Sequence, residues 1–188
     1  MNKRRICALL CAALMAGTTL TACGRGKNKN EDTTANETMK EVSISEIADA
    51  VKAEFGDMYL PNMDMDAEMV ESKFGVKPEW VEEYFAQDCM IGYHIDKLLI
   101  FKAKDGYAAD IKAALADYQE YEKNNALQYP QNIEKIASAT LMEKGDYILY
   151  FMLGGYDDNL DPDDTEGAFK YFQAQNKRAE DVINGLYE

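Results

Sequence analysis

The chain has 188 residues, of which 20 are Lys or Arg and 34 are Asp or Glu, so its formal net charge is -14 at pH 7. That length is typical of one ordinary domain, and the apolar fraction of 47% suits a globular core. The acidic balance argues against nucleic acid as a partner, because phosphate binding needs clustered Lys and Arg. With 12 Gly, 4 Pro and 4 Cys, the composition also excludes collagen-like, low-complexity and disulfide-rich classes.

The first 22 residues have the pattern of a secretory signal peptide. Residues 3–5 are basic, and the apolar run at 6–20 is shorter than the roughly 20 residues of a transmembrane helix. The run ends in LTAC at residues 20–23, which resembles a bacterial lipobox, the motif whose cysteine receives a diacylglyceryl group and becomes the first mature residue. We therefore predict lipidation at Cys23 and anchoring to the outer face of the cytoplasmic membrane, since two or more acyl chains hold a protein stably.

A disordered tether is predicted between the lipid and the folded domain. Residues 24–41 contain a single large apolar residue, Met39, and bury too little surface to offset the entropy of ordering them. The chain therefore divides into a signal peptide at 1–22, a lipidated cysteine and tether at 23–42, and a single domain at 43–188. The domain holds 13 basic and 30 acidic residues, so an anionic lipid surface repels it.

Helices open the domain. Ser43 and Glu46 have the spacing of a capping box, and apolar residues recur at helical spacing as far as Phe55. Two shorter helices are predicted, one at 66–74 and one that begins at Pro78 and runs through 85.

Two β-hairpins and three further helices follow. Alternating apolar residues at 89–95 and a continuous apolar run at 98–101 predict the first hairpin, whose second strand is covered on both faces. The second hairpin is predicted at 139–154, with a turn at 144–146 and a central return strand at 147–153. The predicted helices are 108–127, 132–138 and 164–186, the last with a capping box of Asp163 and Glu166 and a buried stripe of Phe169, Phe172, Ala179, Val182 and Leu186. This order predicts an α+β fold, an antiparallel sheet built from two β-hairpins with helices packed on it.

Three stretches of the domain resemble a known family. They are FKAKDGYAADIKAAL at 101–115, YPQNIEKI at 129–136 and EKGDYILYFML at 143–153. With the lipobox ahead of them, they resemble the uncharacterised bacterial lipoprotein family called domain of unknown function 4358, over roughly residues 43–155. The chain has Gly-Asp-Tyr at 145–147 where Gly-Asn-Tyr is common, a mild departure. None of these motifs is catalytic, so the resemblance implies a fold and a localisation but no activity.

Two segments have side chains that metals favour. Counted from Asp157, oxygen-bearing side chains fall at EF-hand positions 1, 3, 5, 7 and 9, but Pro162 occupies the glycine position and Ala168 the position of the bidentate glutamate. A solvated loop at 157–164 that caps the last helix is therefore favoured over a calcium site. Thioethers suit Cu(I), but core packing is favoured for the methionines Met58, Met63, Met65 and Met69. No metal or cofactor site is predicted.

No catalytic constellation is evident in the sequence. Cys89, the one cysteine left after processing, and His94, the one histidine, are predicted on opposite faces of a strand, and Cys89 is interpreted as an inert buried thiol. Gly-rich phosphate loops and the CxxC, HExxH and GxSxG motifs are absent from the sequence. Acid–base chemistry needs paired carboxylates in one cleft, and adjacent candidates are Asp64/Asp66 and Glu82/Glu83.

Tyrosine is abundant, with 12 in the chain. Tyrosine is favoured at binding surfaces because it joins apolar area to a hydroxyl; Tyr118 and Tyr121 fall on the predicted core side, whereas Tyr156 and Tyr187 can be exposed beside acids. The favoured interpretation is a lipid-anchored extracytoplasmic module at the cell envelope that binds an envelope protein or a small ligand without chemistry of its own. The alternatives are a cell-envelope hydrolase that uses carboxylates and a metal-binding or sensing lipoprotein.

Overall fold

The computed structural model describes residues 40–90, 93–124, 127–157, 159–161 and 163–188. All of them belong to one unit of the chain, Thr38–Glu188. The predicted signal peptide, Cys23 and the tether as far as residue 39 lie outside the described residues. In the part of the chain that the structure describes, no helix is both long and apolar enough to cross a lipid bilayer.

The first helix, α1, spans Ile44–Phe55 and begins at the predicted capping box. Ser43 Oγ accepts a hydrogen bond from the backbone N–H of Glu46 at 3.2 Å, and the Glu46 carboxylate accepts one from the backbone N–H of Ser43 at 2.9 Å. Both helix-terminal N–H groups are thereby satisfied without solvent. The apolar stripe of α1, with Ile47 and Val51 fully buried, faces the sheet.

Five strands of the described residues form one antiparallel sheet. The strands are β1 (Met63–Asp64), β2 (Val81–Asp88), β3 (Lys97–Ala103), β4 (Thr140–Lys144) and β5 (Tyr147–Met152). Their spatial order is β1-β2-β3-β5-β4, so the hairpins β2–β3 and β4–β5 lie side by side. Strands β3 and β5 join them, with pairs from Lys97–Met152 to Lys102–Tyr147. The predicted α+β fold and its sheet of two hairpins are confirmed.

Helices cover both faces of this sheet. On one face, α1 and α5 (Thr165–Leu186) pack on Leu98 and Ile100 of β3. On the other, α2 (Ala67–Phe74) and α3 (Ala108–Asn124) pack on Leu99 and Phe101. Successive side chains of a strand point to opposite faces, and here both faces are covered. For this reason β3 and β5 are apolar at nearly every position, as predicted. The short helix α4 (Ile133–Ala137) contacts both α3 and α5.

The first hairpin begins earlier than the sequence predicts. The predicted helix at 78–85 is wrong, because only a 3-10 turn forms at Pro78–Trp80 and β2 begins directly after it. Aromatic and β-branched residues favour a half-buried strand, and pairing with β3 outweighs the helix-initiating proline. The predicted strand at 89–95 is also wrong, since Cys89 and His94 lie in the connection between β2 and β3.

The last helix agrees with its predicted span but not with its predicted cap. Asp164 is the N-cap, because its Oδ1 accepts a hydrogen bond from the backbone N–H of Gly167 at 2.8 Å. The capping box of Asp163 and Glu166 is therefore wrong by one residue. The buried stripe of α5 is Phe172, Asn176, Ala179 and Ile183, whereas Phe169, Val182 and Leu186 are half-buried.

Candidate functional site

Three connections meet at one end of the sheet. One connection precedes β3, one precedes β4 and one follows β5. They lie together because the end of β5 pairs with the starts of the other two strands, Met152 with Lys97 and Phe151 with Thr140. With the start of α5 they enclose a pocket of about 610 Å³, here called the tyrosine pocket. Its lining residues are Tyr93, Pro130, Ile133, Glu134, Tyr156, Asp157, Leu160, Asp161, Thr165, Ala168 and Phe172.

Aromatic rings form one wall of the tyrosine pocket. The ring of Tyr156 lies 6.1 Å from that of Tyr93 and 5.5 Å from that of Phe172, between centroids. Tyr129 extends the wall, with its ring centroid 6.0 Å from that of Tyr93. Tyr93 and Tyr129 are 50% and 56% exposed, so large amphipathic surfaces face solvent beside the pocket. Exposed rings of this type are common at binding sites, where they supply contact area at low entropic cost.

Carboxylates also line the pocket. Three of its lining residues, Glu134, Asp157 and Asp161, are acidic, and none of the lining residues is basic. Hydrogen bonds from the backbone and side chain of Asn159 lower the pKa of the Asp157 carboxyl, so this group is ionised at neutral pH. The pocket therefore has a negative electrostatic potential.

A buried ion pair lies behind the aromatic wall. Lys135 Nζ donates to Asp96 Oδ2 at 2.6 Å and to the carbonyl oxygen of Gly154 at 2.5 Å, and both charged side chains are fully buried. Burial lowers the pKa of Lys135 and raises that of Asp96, while each charge opposes the shift of its partner. Gly154 has φ +94, and a Cβ there would meet Gln175 at 2.7 Å, so only glycine places its carbonyl here.

Several buried polar atoms near this pair have no hydrogen-bond partner. Among the described residues these include His94 Nδ1, Asp96 Oδ1 and Asn132 Nδ2. The Tyr156 hydroxyl donates to Asn132 Oδ1, which leaves only the amide nitrogen of Asn132 free. We call His94, Asp96, Asn132 and Lys135 the buried polar cluster. Buried polar groups are nearly always partnered in proteins, so such a concentration of exceptions is typical of a site that a ligand or ordered water completes.

Cys89 lies close to the buried polar cluster but is not an activated thiol. Burial, reinforced by the carboxylates of Asp96 and Asp88, raises the pKa of Cys89 to about 11. Its thiolate fraction is therefore very small at neutral pH, and thiolate is the nucleophilic form. The thiol is half-buried and lies in a loop, not on the predicted strand. Tyr156 is equally unsuited to base chemistry, since burial raises the pKa of its hydroxyl.

The other predicted candidates lie in separate places. Asp64 accepts a hydrogen bond from Gln87, Asp66 caps α2, and Glu82 pairs with Lys102, so three of these four carboxylates have a partner within the protein. Among the described residues, no three His, Cys, Asp or Glu side chains are grouped closely enough to hold a metal ion. Of the four methionines, Met65 is buried in the core, whereas Met58 and Met69 are exposed at 39% and 37%.

Sequence reasoning found part of the tyrosine pocket and missed the rest. It selected Tyr156 and the acidic loop at 157–164, but it placed Tyr121 in the core, where the structure leaves that side chain 55% exposed. Tyr118 is buried as predicted, and Tyr187 is half-buried against the core. The ion pair was missed, because Lys135 resembles a surface residue of an amphipathic helix and Asp96 resembles a turn residue.

A comparison with protein families matches most of the folded domain. A sequence model of the family described as Domain of unknown function (DUF4358) matches residues 54–153. No curated protein and no solved structure matches the chain. The matched region holds Tyr93, Asp96 and Lys135, whereas Tyr156 and the start of α5 lie beyond it. Because the match covers more than half of the residues, this chain belongs to the DUF4358 family.

Proposed function

We propose that this chain is a lipid-anchored extracytoplasmic protein of the bacterial cell envelope that acts by binding, with the tyrosine pocket as its binding site. The anchor is supported by the basic start, the apolar run of residues 6–20 and the LTAC box that ends at Cys23. Binding is supported by a pocket of about 610 Å³, a size in the usual range of small-molecule sites.

The observation that carries the proposal is the coincidence of exposed rings with incompletely partnered buried groups. Tyr93 and Tyr129 keep about half of their surface in solvent, and Asn132 and Asp96 of the buried polar cluster keep buried polar atoms without partners. If this end of the sheet had a purely structural role, its aromatic rings would be expected to be covered and its buried polar atoms to be hydrogen-bonded. Binding explains both features together, because a ligand covers the rings and offers hydrogen-bond partners.

The protonation states of the ionisable groups at the site favour binding over catalysis. The thiol of Cys89 and the hydroxyl of Tyr156 are both protonated at neutral pH, since burial raises the pKa of each. Among the carboxylates that line the pocket, Asp157 is held in its ionised form. General acid catalysis by a carboxyl needs a raised pKa. Burial raises the pKa of Asp96, but this carboxyl is held in the ion pair with Lys135 and does not line the pocket.

The anchor is tested by substitution of Cys23. Cells that express the Cys23→Ser chain are fed an alkyne fatty acid, and lipid labelling and membrane fractionation are compared with wild type. Loss of both label and membrane association is expected for Cys23→Ser, whereas the matched Cys89→Ser chain keeps both. Retention of lipid label on the Cys23→Ser chain would contradict the anchor.

The binding site is tested with a photo-crosslinking amino acid. It is placed at position 93, in the tyrosine pocket, and separately at position 121, where the tyrosine is equally exposed on the α3 side. Illumination of intact cells is expected to give a discrete adduct by mass spectrometry at position 93 and none at position 121. Equal adducts at the two positions, or none at either, would contradict a binding role for the pocket.

A further inference from the structure

The chemistry of the tyrosine pocket also indicates what it binds. We propose that its ligand is a small methylated ammonium ion of the choline type. The inference rests on the proposed binding function and specifies the ligand class.

The charge of the tyrosine pocket favours a cation. Glu134, Asp157 and Asp161 line the pocket, and none of its lining residues is basic. Lys135 is buried behind the wall and neutralised by Asp96 at 2.6 Å. An anionic ligand would meet uncompensated repulsion, whereas a cation is attracted to all three carboxylates.

The aromatic wall suits a quaternary ammonium group. A cation over a ring face is attracted by the electrons of the ring, and quaternary ammonium groups are recognised by several aromatic side chains at once. The pocket offers Tyr93, Tyr156 and Phe172. Two of these rings already accept an ammonium group inside the protein, since Lys135 Nζ lies 5.0 Å from the centroid of Tyr156 and 5.3 Å from that of Phe172.

A free hydrogen-bond donor lies beside the aromatic wall. Asn132 is fully buried, lies between the lining residues Pro130 and Ile133, and has an amide nitrogen without a partner. Its carbonyl oxygen is occupied by the Tyr156 hydroxyl. Asn132 is not itself a lining residue, so this free donor lies next to the pocket and not on its surface. The aromatic and acidic groups that line the pocket thus recognise the ammonium end of the ligand.

The test compares ligands that differ only in charge. Saturation-transfer NMR and calorimetry are run on the purified full chain in a maltoside detergent with choline, with its uncharged isostere 3,3-dimethyl-1-butanol, and with phosphocholine. Choline is expected to bind more tightly than the isostere, on the order of tenfold, because only choline has the cation. Phosphocholine is expected to bind more weakly than choline, because the carboxylates repel its phosphate. Equal or tighter binding of phosphocholine would indicate that the ligand is a phosphorylated head group, and it would overturn the proposal of a free ammonium ion.

Matched variants locate the site. Tyr93→Ala and Asp161→Asn are each expected to weaken choline binding at least several-fold. Tyr121→Ala and Asp117→Asn remove a similarly exposed tyrosine and an exposed aspartate on the α3 side, and they should leave the affinity unchanged.

The outcomes distinguish failure of the proposed ligand class from failure of the proposed binding function. Equal binding of choline and the isostere, both lost in Tyr93→Ala, would overturn the ammonium ligand and leave the pocket as a binding site. Choline binding that Tyr93→Ala and Asp161→Asn do not weaken would overturn the ammonium ligand of this pocket. Absence of choline binding would overturn it as well, and the binding function is then decided by the crosslink at position 93.

Discussion

The centre of the sheet and its end bury side chains equally well but with opposite chemistry. At the centre, Ile100 and Leu149 are fully buried among apolar neighbours, and burial itself is the stabilising contribution. At the end, Lys135 and Asp96 are fully buried as ions, where loss of hydration opposes burial and the pairing only offsets it. The comparison shows that degree of burial alone does not reveal what a region contributes. An apolar core is explained by stability, whereas a buried polar cluster beside a pocket calls for a functional explanation.

The largest effect is expected from removal of one partner of the buried ion pair. Lys135→Met has a similar volume but leaves the Asp96 carboxylate buried without a counter-ion, which lowers the free energy of unfolding by about 3–5 kcal/mol. Urea denaturation of the purified chain measures this loss in the free energy of unfolding. The double variant Lys135→Met/Asp96→Leu is the control, because it replaces both charges by apolar groups and should recover most of the loss. A double variant as unstable as Lys135→Met would show that the packing of Lys135, not its charge, is what matters.

A core substitution at the sheet centre has a comparable size but a different cause. Ile100→Ala is expected to lower the free energy of unfolding by about 2–5 kcal/mol, through lost burial and the cavity left behind. Because no ionisable group is involved, the loss should be the same at pH 5 and pH 7 in urea denaturation. A loss that depends on pH would mean that the two regions are coupled and would weaken the comparison.

The ion pair, in contrast, predicts a dependence on pH. Burial raises the pKa of Asp96 and Lys135 opposes that rise, so Lys135→Met should raise the pKa of Asp96 further. A carboxyl with a higher pKa in the folded state takes up a proton on folding, so stability increases as the pH falls through the folded pKa towards the unfolded value near 3.8. Within that window the gain approaches about 1.4 kcal/mol per pH unit. The deficit of Lys135→Met relative to wild type should therefore be smaller at pH 5 than at pH 7, and a constant deficit would refute a charge effect.

The same contrast explains what sequence could predict. The capping box of Ser43 and Glu46 and the turn before Tyr147 are local signals, and the structure confirms the elements that they predict. The continuous apolar runs of β3 and β5 indicate strands covered on both faces, because such strands need no polar side. Most of the fold is therefore accessible from local pattern and hydrophobic periodicity.

The buried polar cluster was inaccessible for a physical reason. Lys135 and Asp96 are 39 residues apart, and they meet only because the β3–β5 pairing brings three connections to one end of the sheet. No local pattern distinguishes a lysine that will be buried there from a solvated one. The error at β2 has a related origin, since the strand depends on a partner, β3, whereas the proline signal for a helix at Pro78 is local.

A smaller loss of stability is expected from substitution of Asn176, which connects the centre of the sheet with its end. Its Oδ1 accepts a hydrogen bond from the backbone N–H of Leu153 at 2.9 Å, and its Nδ2 donates to the carbonyl oxygen of Ser138 at 2.9 Å. Asn176→Ala leaves both buried groups without a partner, which should cost about 2 kcal/mol in urea denaturation. Faster hydrogen exchange at Leu153 is expected as well, and the exposed Gln173→Ala on the same helix is the control. Unchanged exchange at Leu153 would show that this bond does not hold β5 to α5.

The smallest effect is expected at the cap of α1, which lies outside the tyrosine pocket. Ser43→Ala removes the acceptor for the backbone N–H of Glu46 and should lower the free energy of unfolding by about 1 kcal/mol. Ser72→Ala, at an exposed serine inside α2, is the matched control and should change stability by less. Choline affinity of the Ser43→Ala chain, measured by the same calorimetry, should equal that of wild type. If the cap variant weakens choline binding as much as Tyr93→Ala does, then ligand affinity follows global stability, and the variants at the pocket would lose their meaning as evidence for a local site.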